Sequence, residues 1–365
     1  MSTLMAEATI PTQRGADYVR SVCSRLGQAD FSTSSGDGQG RIDLVDGLGS
    51  GTLEAHSDRL HVRLESRTEQ GLAVLKALLS TQIEEVAVAE KAEVVWTGDG
   101  CNLDVLPNLR EMTVLRVADV TPHVRRITLT GQDLARFDSE SLHVRLLFPP
   151  KGVHPPEWPT PGKNGRPVWP PDDRRPVQRV YTIRRIDAAA GEMDIDFVLH
   201  DTPGVASVWA ASARHGDVIG VMGPGGREIS GAAHVILAGD ETAIPAMARI
   251  LARLPAQTTG QVFIEAEDPR DIQALDHPDH VTVLWLFRRG LEPGRNDLLA
   301  DAVMAAPWPH HDDVFCWLGA EEAVARRVRR FWRDEKGLSR SQCMAVGYWT
   351  HRLTEREPRA AEGRD

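Results

Sequence analysis

The hydrophobic pattern changes rhythm twice along the chain. In residues 1–105, DYVRSVCSRLG spaces its apolar side chains as a helix does and stops at Gly27. Gly-rich turns then separate RIDLV, GTLEA and RLHVRLES, whose alternation predicts strands. EQGLAVLKALLSTQIEEVA predicts a second helix and AEVVW a further strand. The expected order is α-β-β-β-α-β, an α+β domain. The turn Thr97-Gly98-Asp99-Gly100 and Pro107 mark its end.

Residues 106–230 are dominated by strand patterns. MTVLRVADV, HVRRITLTG, HVRLLFP, RVYTIRRI and MDIDFVLH predict at least five strands, as in a small antiparallel β-barrel. The stretch 149–176 interrupts them and holds ten of the 23 prolines. Proline lacks the N–H a ladder needs, so this stretch is not the interior of a sheet. It reads as an extended surface excursion, either a linker or a lid. In residues 231–356 apolar strands (HVILAG, QVFIEAE, HVTVLWLF, DVFCWLG, CMAVGYW) alternate with helical segments, the pattern of an open parallel α/β sheet. The charged tail 357–365 reads as frayed.

The 365 residues suit two or three domains. Lys+Arg of 42 against Asp+Glu of 52 gives a net charge of −10, which argues against nucleic acid or an anionic membrane as the main partner. No apolar run reaches the roughly 20 residues of a membrane span. The N-terminal stretch lacks the apolar core of a secretory signal. Cys23, Cys101, Cys316 and Cys343 form no CxxC pair, so neither a zinc site nor a disulfide framework is expected. The cytoplasm is the expected compartment.

Four segments carry candidate chemistry. In Arg179-Val180-Tyr181-Thr182, alternation puts residues 179 and 181 on one side of a strand and 180 and 182 on the other. A guanidinium there suits a pyrophosphate, a phenol ring suits a flavin face and a hydroxyl suits a flavin edge; an ordinary strand fits the same four residues. In HDTPGVASVWA, Thr202 and Pro203 are expected to start a helix. Gly204, Ala206 and Ser207 keep its amides accessible to an anion. In VILAGDETAIPAMARIL, an apolar strand ends at Gly239, Asp240 or Thr242 caps the next helix, and Pro245 lies in its first turn. This is the first β-to-α turn of the open sheet, where such sheets bind nucleotides, although no GxGxxG is present. Gly223-Pro224-Gly225-Gly226 is a second tight turn that could border the pocket. Gly347-Tyr348-Trp349 ends the last strand, where an aromatic could cover a flavin face. Arg288-Arg289 is the best-placed pair for a nucleotide 2′-phosphate. His277, His280, His310 and His311 lack partners at metal-ligand spacing, and no metal site is expected.

In order and spacing, these segments resemble the siderophore-interacting protein family, the FAD-dependent ferric-siderophore reductases. TPHVRRITLTG, HVRLLFP, RVYT, DFVLH with GVASVWA, GDVIGVMGPGG, GDETAIPA, VFIEAED and GYW carry the likeness. Residues 1–105 resemble a small domain of unknown function, DUF2218. The chain departs from the family at Arg145, where Lys is usual, and at Trp317-Leu318-Gly319-Ala320-Glu321, where glycine and alanine are exchanged. It departs again at Thr350-His351-Arg352, which lacks a glycine. In the DUF2218-like region, Gln82-Ile83-Glu84-Glu85-Val86-Ala87 replaces a His-containing stretch.

The resemblance implies a ferredoxin-reductase-like pair, an FAD-binding barrel followed by an NAD(P)H-binding sheet. It implies FAD held by Arg179, Tyr181, Thr182, His200, Gly204, Ala206 and Ser207. It puts Asp240, Glu241, Thr242, Arg288, Tyr348 and Trp349 around the nicotinamide pocket. Arg145 and Arg352 would attract the ferric siderophore. Either NADH or NADPH would donate hydride, with a ferredoxin-type protein as the alternative donor. A flavin reductase with another acceptor and a non-catalytic siderophore-binding protein are the competing readings.

Overall fold

The computed structural model describes residues 3–29, 31–44, 49–139, 141–199, 204–226, 231–309 and 313–351. They fall into two compact units, one drawn from Met1–Leu109 with Pro150–Pro176, the other from Arg110–Pro149 with Val177–Pro358.

The first unit is an antiparallel sheet with two helices. Its elements are β1 (Leu4–Pro11), α1 (Gly15–Gln28), β2 (Ser32–Gly36), β3 (Gln39–Asp43), β4 (Gly49–Ala55), β5 (Arg59–Ser66), α2 (Glu69–Val86) and β6 (Thr97–Gly98). The strand order is β2-β3-β4-β5-β1-β6. Val19, Val22, Cys23 and Leu26 of α1 and Leu72, Leu75, Leu79 and Ile83 of α2 form one core with Leu53, Leu60, Val62 and Leu64. Thr68 starts α2 by accepting from the Gly71 amide.

The sheet differs from the expected one in three strands. β1 alternates correctly, with Ala6, Ala8 and Ile10 buried, but small alanines hide the period. β2, STSSG, is a polar, largely exposed edge strand that exists only through its pairing with β3. AEVVW is not a strand: Val94 and Trp96 are buried, but the Trp96 amide donates to the Lys163 carbonyl instead of a ladder. The short β6 comes next, pairing Glu7 with Thr97 and Ala6 with Gly98.

In the second unit, β7 (Leu109–Thr121), β8 (Val124–Thr130) and β9 (His143–Phe148) begin the barrel. The chain then leaves as a proline-rich hairpin, β10 (Thr160–Pro161) and β11 (Pro167–Val168), which packs within the first unit. It returns as β12 (Val177–Asp187) and β13 (Glu192–Val198), followed by α3 (Val205–Ser212) and β14 (Val218–Gly225). The barrel closes in the order β12-β13-β8-β7-β14-β9. β14 is a sixth strand beyond the five named by pattern, and it seals the gap between β7 and β9. Val144, Leu146, Phe148, Ile183, Ile195, Phe197, Ile219 and Val221 fill the interior.

The parallel sheet has β15 (His234–Gly239), α4 (Ile244–Leu251), β16 (Thr259–Ala266), β17 (Val281–Phe287), α5 (Leu298–Met304), β18 (Val314–Glu321), α6 (Glu322–Arg330) and β19 (Cys343–Trp349). All five strands run parallel in the order β17-β16-β15-β18-β19. β18 is buried along its whole length, as expected of a central strand covered on both faces. The strand order reverses direction between β15 and β18, so the crevice at their carboxyl ends is where a ligand binds in such sheets.

Candidate functional site

The barrel face of the site is built on two paired strands. β12 runs antiparallel to β9, with Val180 opposite Arg145, Tyr181 opposite Val144 and Thr182 opposite His143. Directly opposed residues share a face, so Arg179 and Tyr181 turn toward the barrel interior while Val180 and Thr182 turn outward. Val180 is 62% exposed, whereas Thr182, two residues on, is 5% exposed. Something covers the outer face at Thr182 and leaves it open at Val180 and Arg145.

Arg179 and Arg145 stand apart from the other barrel arginines. Arg110, Arg116, Arg125, Arg126, Arg136, Arg184, Arg185 and Arg214 each face an aspartate or glutamate. Among the described residues, Arg179 donates only to the neighbouring Gln178 carbonyl, at 2.8 Å, and has no carboxylate. A half-buried cation without a counter-charge favours an anionic ligand.

Tyr181 belongs to an aromatic cluster that reaches α3. Its ring centre lies 4.5 Å from that of Phe197, and Trp209 of α3 lies 5.4 Å from Phe148 and 5.8 Å from Phe197. This packing ties the start of α3 to the strand that carries Arg179. Helix α3 begins later than the sequence pattern suggests. Gly204 precedes its first turn, the Gly204 amide donates to Ser207 Oγ at 3.0 Å, and Thr202 and Pro203 lie outside the described residues. The first amides of a helix have no carbonyl behind them, and Ala206 adds only a methyl group. A guanidinium without a carboxylate partner among the described residues, a ring cluster and small-residue amides fit the pyrophosphate and ring system of FAD.

The sheet supplies the opposite side. Gly239, the last residue of β15, pairs with Gly319 near the end of β18: a Cβ on Gly239 would lie 2.7 Å from the Gly319 carbonyl. One on Gly319 would lie 2.8 Å from the Trp317 ring and 3.1 Å from Tyr348 Cζ. The glycine–alanine exchange seen in the sequence thus puts glycine beneath the Tyr348 ring.

Asp240 accepts from the Thr242 amide at 2.9 Å and from Trp349 Nε1 at 2.7 Å. It caps the short turn Glu241–Ala243 rather than α4 itself. Burial, reinforced by the charge of Glu241, raises the Asp240 carboxyl to about 6.

Glu241 and Arg288 depart from their expected placement. Both are buried, and Arg288 grips Glu241 with both terminal nitrogens while lying 3.3 Å from Glu265. Its guanidinium is committed inside the fold and is not presented to a ligand phosphate. Asn296 donates to Glu265 at 3.2 Å. This network braces the 240–242 turn from behind.

The two sides meet at Tyr348. Its hydroxyl is 2.8 Å from His143 Nε2 and lies beside Thr182. Burial, with a smaller effect of Arg249, holds His143 down at about 4, so the ring is neutral. Gly223–Gly226, expected as a tight turn, is instead the end of β14 and the residue after it, held in place by pairing of Gly225 with His143 on β9; Gly226 has φ of +104°, and a Cβ there would lie 2.8 Å from His143 Nδ1. Sequence reasoning missed His143. Its alternation with Arg145 puts it on the outer face, but only the covering sheet makes it part of a site. His200 and Arg352 lie outside the described residues.

A six-stranded antiparallel barrel joined to a parallel sheet is a ferredoxin-reductase-like fold. The ferredoxin reductase of carbazole 1,9a-dioxygenase shares this fold at 16% identity and a TM-score of 0.50, over 71% of this chain and 74% of its own. Residues 113–228 match the siderophore-interacting FAD-binding domain, 232–352 the siderophore-interacting protein domain, and 7–97 a family described as uncharacterized proteins conserved in bacteria (DUF2218). The ferric vibriobactin reductase ViuB of Vibrio cholerae is 32% identical over 246 residues, 66% of this chain and 89% of its own length. A siderophore utilization protein from T. fusca superposes with a TM-score of 0.58 at 34% identity, covering 70% of this chain and 98% of its own. The chain belongs to the siderophore-interacting protein family. Among the described residues, no helix is long and apolar enough to cross a membrane.

Proposed function

We propose that this chain reduces ferric siderophores with electrons from NAD(P)H, through FAD. The chemistry FAD supplies when bound is the splitting of a hydride's electron pair into the single electrons that ferric iron takes. Arg179 would neutralise the pyrophosphate and the first amides of α3 would bond its oxygens. Tyr181 would offer its ring to the flavin, and Thr182 would set a hydroxyl at its edge. The Asp240–Thr242 turn with Tyr348 and Trp349 would border the nicotinamide, at the crevice where the sheet order reverses. Arg145, exposed and without a carboxylate partner among the described residues, would draw in an anionic ferric chelate. Hard oxygen ligands hold Fe(III) far better than Fe(II), so reduction frees the metal. That use fits the cytoplasm, as do the four free cysteines.

The observation that carries this reading is Arg179, without a carboxylate partner among the described residues, beside the Tyr181 cluster, in a chain with a ferric vibriobactin reductase among its relatives. The test is the visible absorbance of the purified protein before and after anaerobic NADH, then NADPH. Flavin bands that bleach, with Fe(II) capture on adding a ferric chelate, are expected. A colourless protein that takes up no added FAD would overturn it. Bands that bleach with neither nicotinamide would replace NAD(P)H by a ferredoxin-type donor.

A further inference from the structure

The flavin chemistry uses nothing from the N-terminal unit. Within that unit, however, the proline-rich hairpin is seated by a specific set of polar contacts. Lys76, Ser80 and Glu84 lie four residues apart and so line one face of α2. Ser80 Oγ donates to the Asn164 carbonyl at 2.6 Å. Trp96 Nε1 is shared between Ser80 Oγ at 2.9 Å and that same carbonyl at 3.2 Å. The Trp96 amide donates to the Lys163 carbonyl at 3.1 Å. Asn164 Nδ2 donates to Glu84 Oε1 at 3.1 Å, and Arg166 pairs with the other oxygen of Glu84, also at 3.1 Å.

Gly165 sits directly over Lys76. Its φ is +75°, and a Cβ there would lie 2.5 Å from Lys76 Cβ. The Lys76 ammonium is held beneath by the Asp99 carbonyl at 2.6 Å. The hairpin is stiffened internally. Gly162 donates to the Arg166 carbonyl at 2.8 Å, Arg174 pairs with Glu157, and the Arg175 guanidinium lies 5.0 Å from the Trp169 ring centre. Backbone carbonyls, an ion pair and a glycine in a left-handed conformation are together read at one spot, which is how a short peptide turn is recognised.

The hairpin also has a defined place in the chain. It comes after β9, which carries His143 and Arg145, and precedes β12, which carries Arg179, Tyr181 and Thr182. We propose that the α2–Trp96 face of the N-terminal unit is a recognition site for the Lys163–Arg166 turn of the same chain. By anchoring that turn, the unit holds the ends of the two strands that carry the flavin site. The second half of this proposal rests on the FAD assignment of β12.

The test uses the full chain and two routes to undocking. Gly165→Val places a branched side chain against Lys76 at a positive φ, and Glu84→Arg reverses the ion pair with Arg166. Trypsin cleavage after Lys151, Lys163 and Arg174 reads docking, and the FAD dissociation constant reads coupling. Both variants should be cut about tenfold faster after Lys163 and bind FAD about tenfold more weakly. The charge swap Glu84→Arg with Arg166→Glu should recover both readouts. Unchanged cleavage in both variants overturns the recognition site; faster cleavage at undiminished FAD affinity overturns the coupling. Arg179→Ala separates the two readings, because it should weaken FAD without exposing Lys163. If it retains full FAD, the flavin assignment fails, and the cleavage rates still decide whether the turn is bound.

Discussion

The hydroxyl of Tyr348, at the end of the last strand of the sheet, lies 2.8 Å from Nε2 of His143 on the barrel. Thr182, which pairs with His143 across the barrel sheet, lies beside the same hydroxyl. Burial pushes the Tyr348 phenol up, so it stays protonated. One side chain of the sheet thereby orients a side chain of the barrel beside the place where the flavin edge is proposed to lie.

Removing that hydroxyl tests the link. Tyr348→Phe leaves the ring nitrogen of His143 without its partner, at a cost of about 1–3 kcal/mol. Chemical denaturation should register that loss. FAD content should stay near wild type while hydride transfer slows, as seen by stopped-flow bleaching of the flavin. A variant with wild-type stability and rate would show that the bond has no role.

Arg179→Ala removes the guanidinium from the proposed pyrophosphate site. A charge-assisted hydrogen bond contributes about 1.5–3 kcal/mol, so FAD should bind about 10- to 150-fold more weakly. Titration of the apoprotein by flavin fluorescence measures this. Undiminished retention of FAD through purification would place the pyrophosphate elsewhere.

Arg145 is exposed and without a carboxylate partner among the described residues, on the same outer face as Val180. Arg145→Glu should slow reduction of anionic ferric chelates, with the difference shrinking as salt rises. Hydride transfer to the flavin should be unaffected. Equal rates on anionic and neutral chelates in both proteins would remove Arg145 from the substrate path.

Asp240 predicts a pH dependence of stability. Its carboxyl is raised to about 6 in the fold, against about 3.9 in an unfolded chain. Between those values the folded chain holds a proton that the unfolded chain has released. Stability from this group is therefore lost as pH rises through the window, by up to about 3 kcal/mol. His143 acts in the opposite sense: lowered to about 4, it favours the fold above its unfolded value and loses that contribution as pH falls. The measurement is thus a difference, Asp240→Asn against wild type, by denaturant titration at about pH 4.5 and about pH 7. The variant should gain stability relative to wild type at the higher pH. A constant difference would show that Asp240 is not protonated in the fold.

The sheet was legible because its strands are written as apolar runs. HVILAG and DVFCWLG need burial on both faces, and alternating helices leave the parallel order as the natural solution. The barrel strands were legible for the same reason, apart from β14. STSSG in β2 was not legible, because a polar edge strand owes its conformation to its neighbour. AEVVW misled in the other direction: its alternation is right for a strand, but its tryptophan amide is taken by Lys163.

The site divides along the same line. Local chemistry nominates Arg179, Tyr181, Thr182 and the small residues at the start of α3, because each proposed role needs a particular side chain at a set spacing along one strand or one helix turn. Two facts needed the tertiary structure. Arg288 comes after a strand as an open cation would, yet three-dimensional packing turns it into the buried partner of Glu241. His143 and Tyr348 stand 205 residues apart, and no local pattern connects them. The proline-rich stretch showed in its composition only that it was no sheet interior. Its place against α2 was set by Ser80, Glu84 and Trp96, which lie far from it along the chain. Sequence determines what a short stretch can form and which chemistry it carries. Which charges stay open and which hydroxyls meet depends on what folds against them, and that is decided by long-range packing.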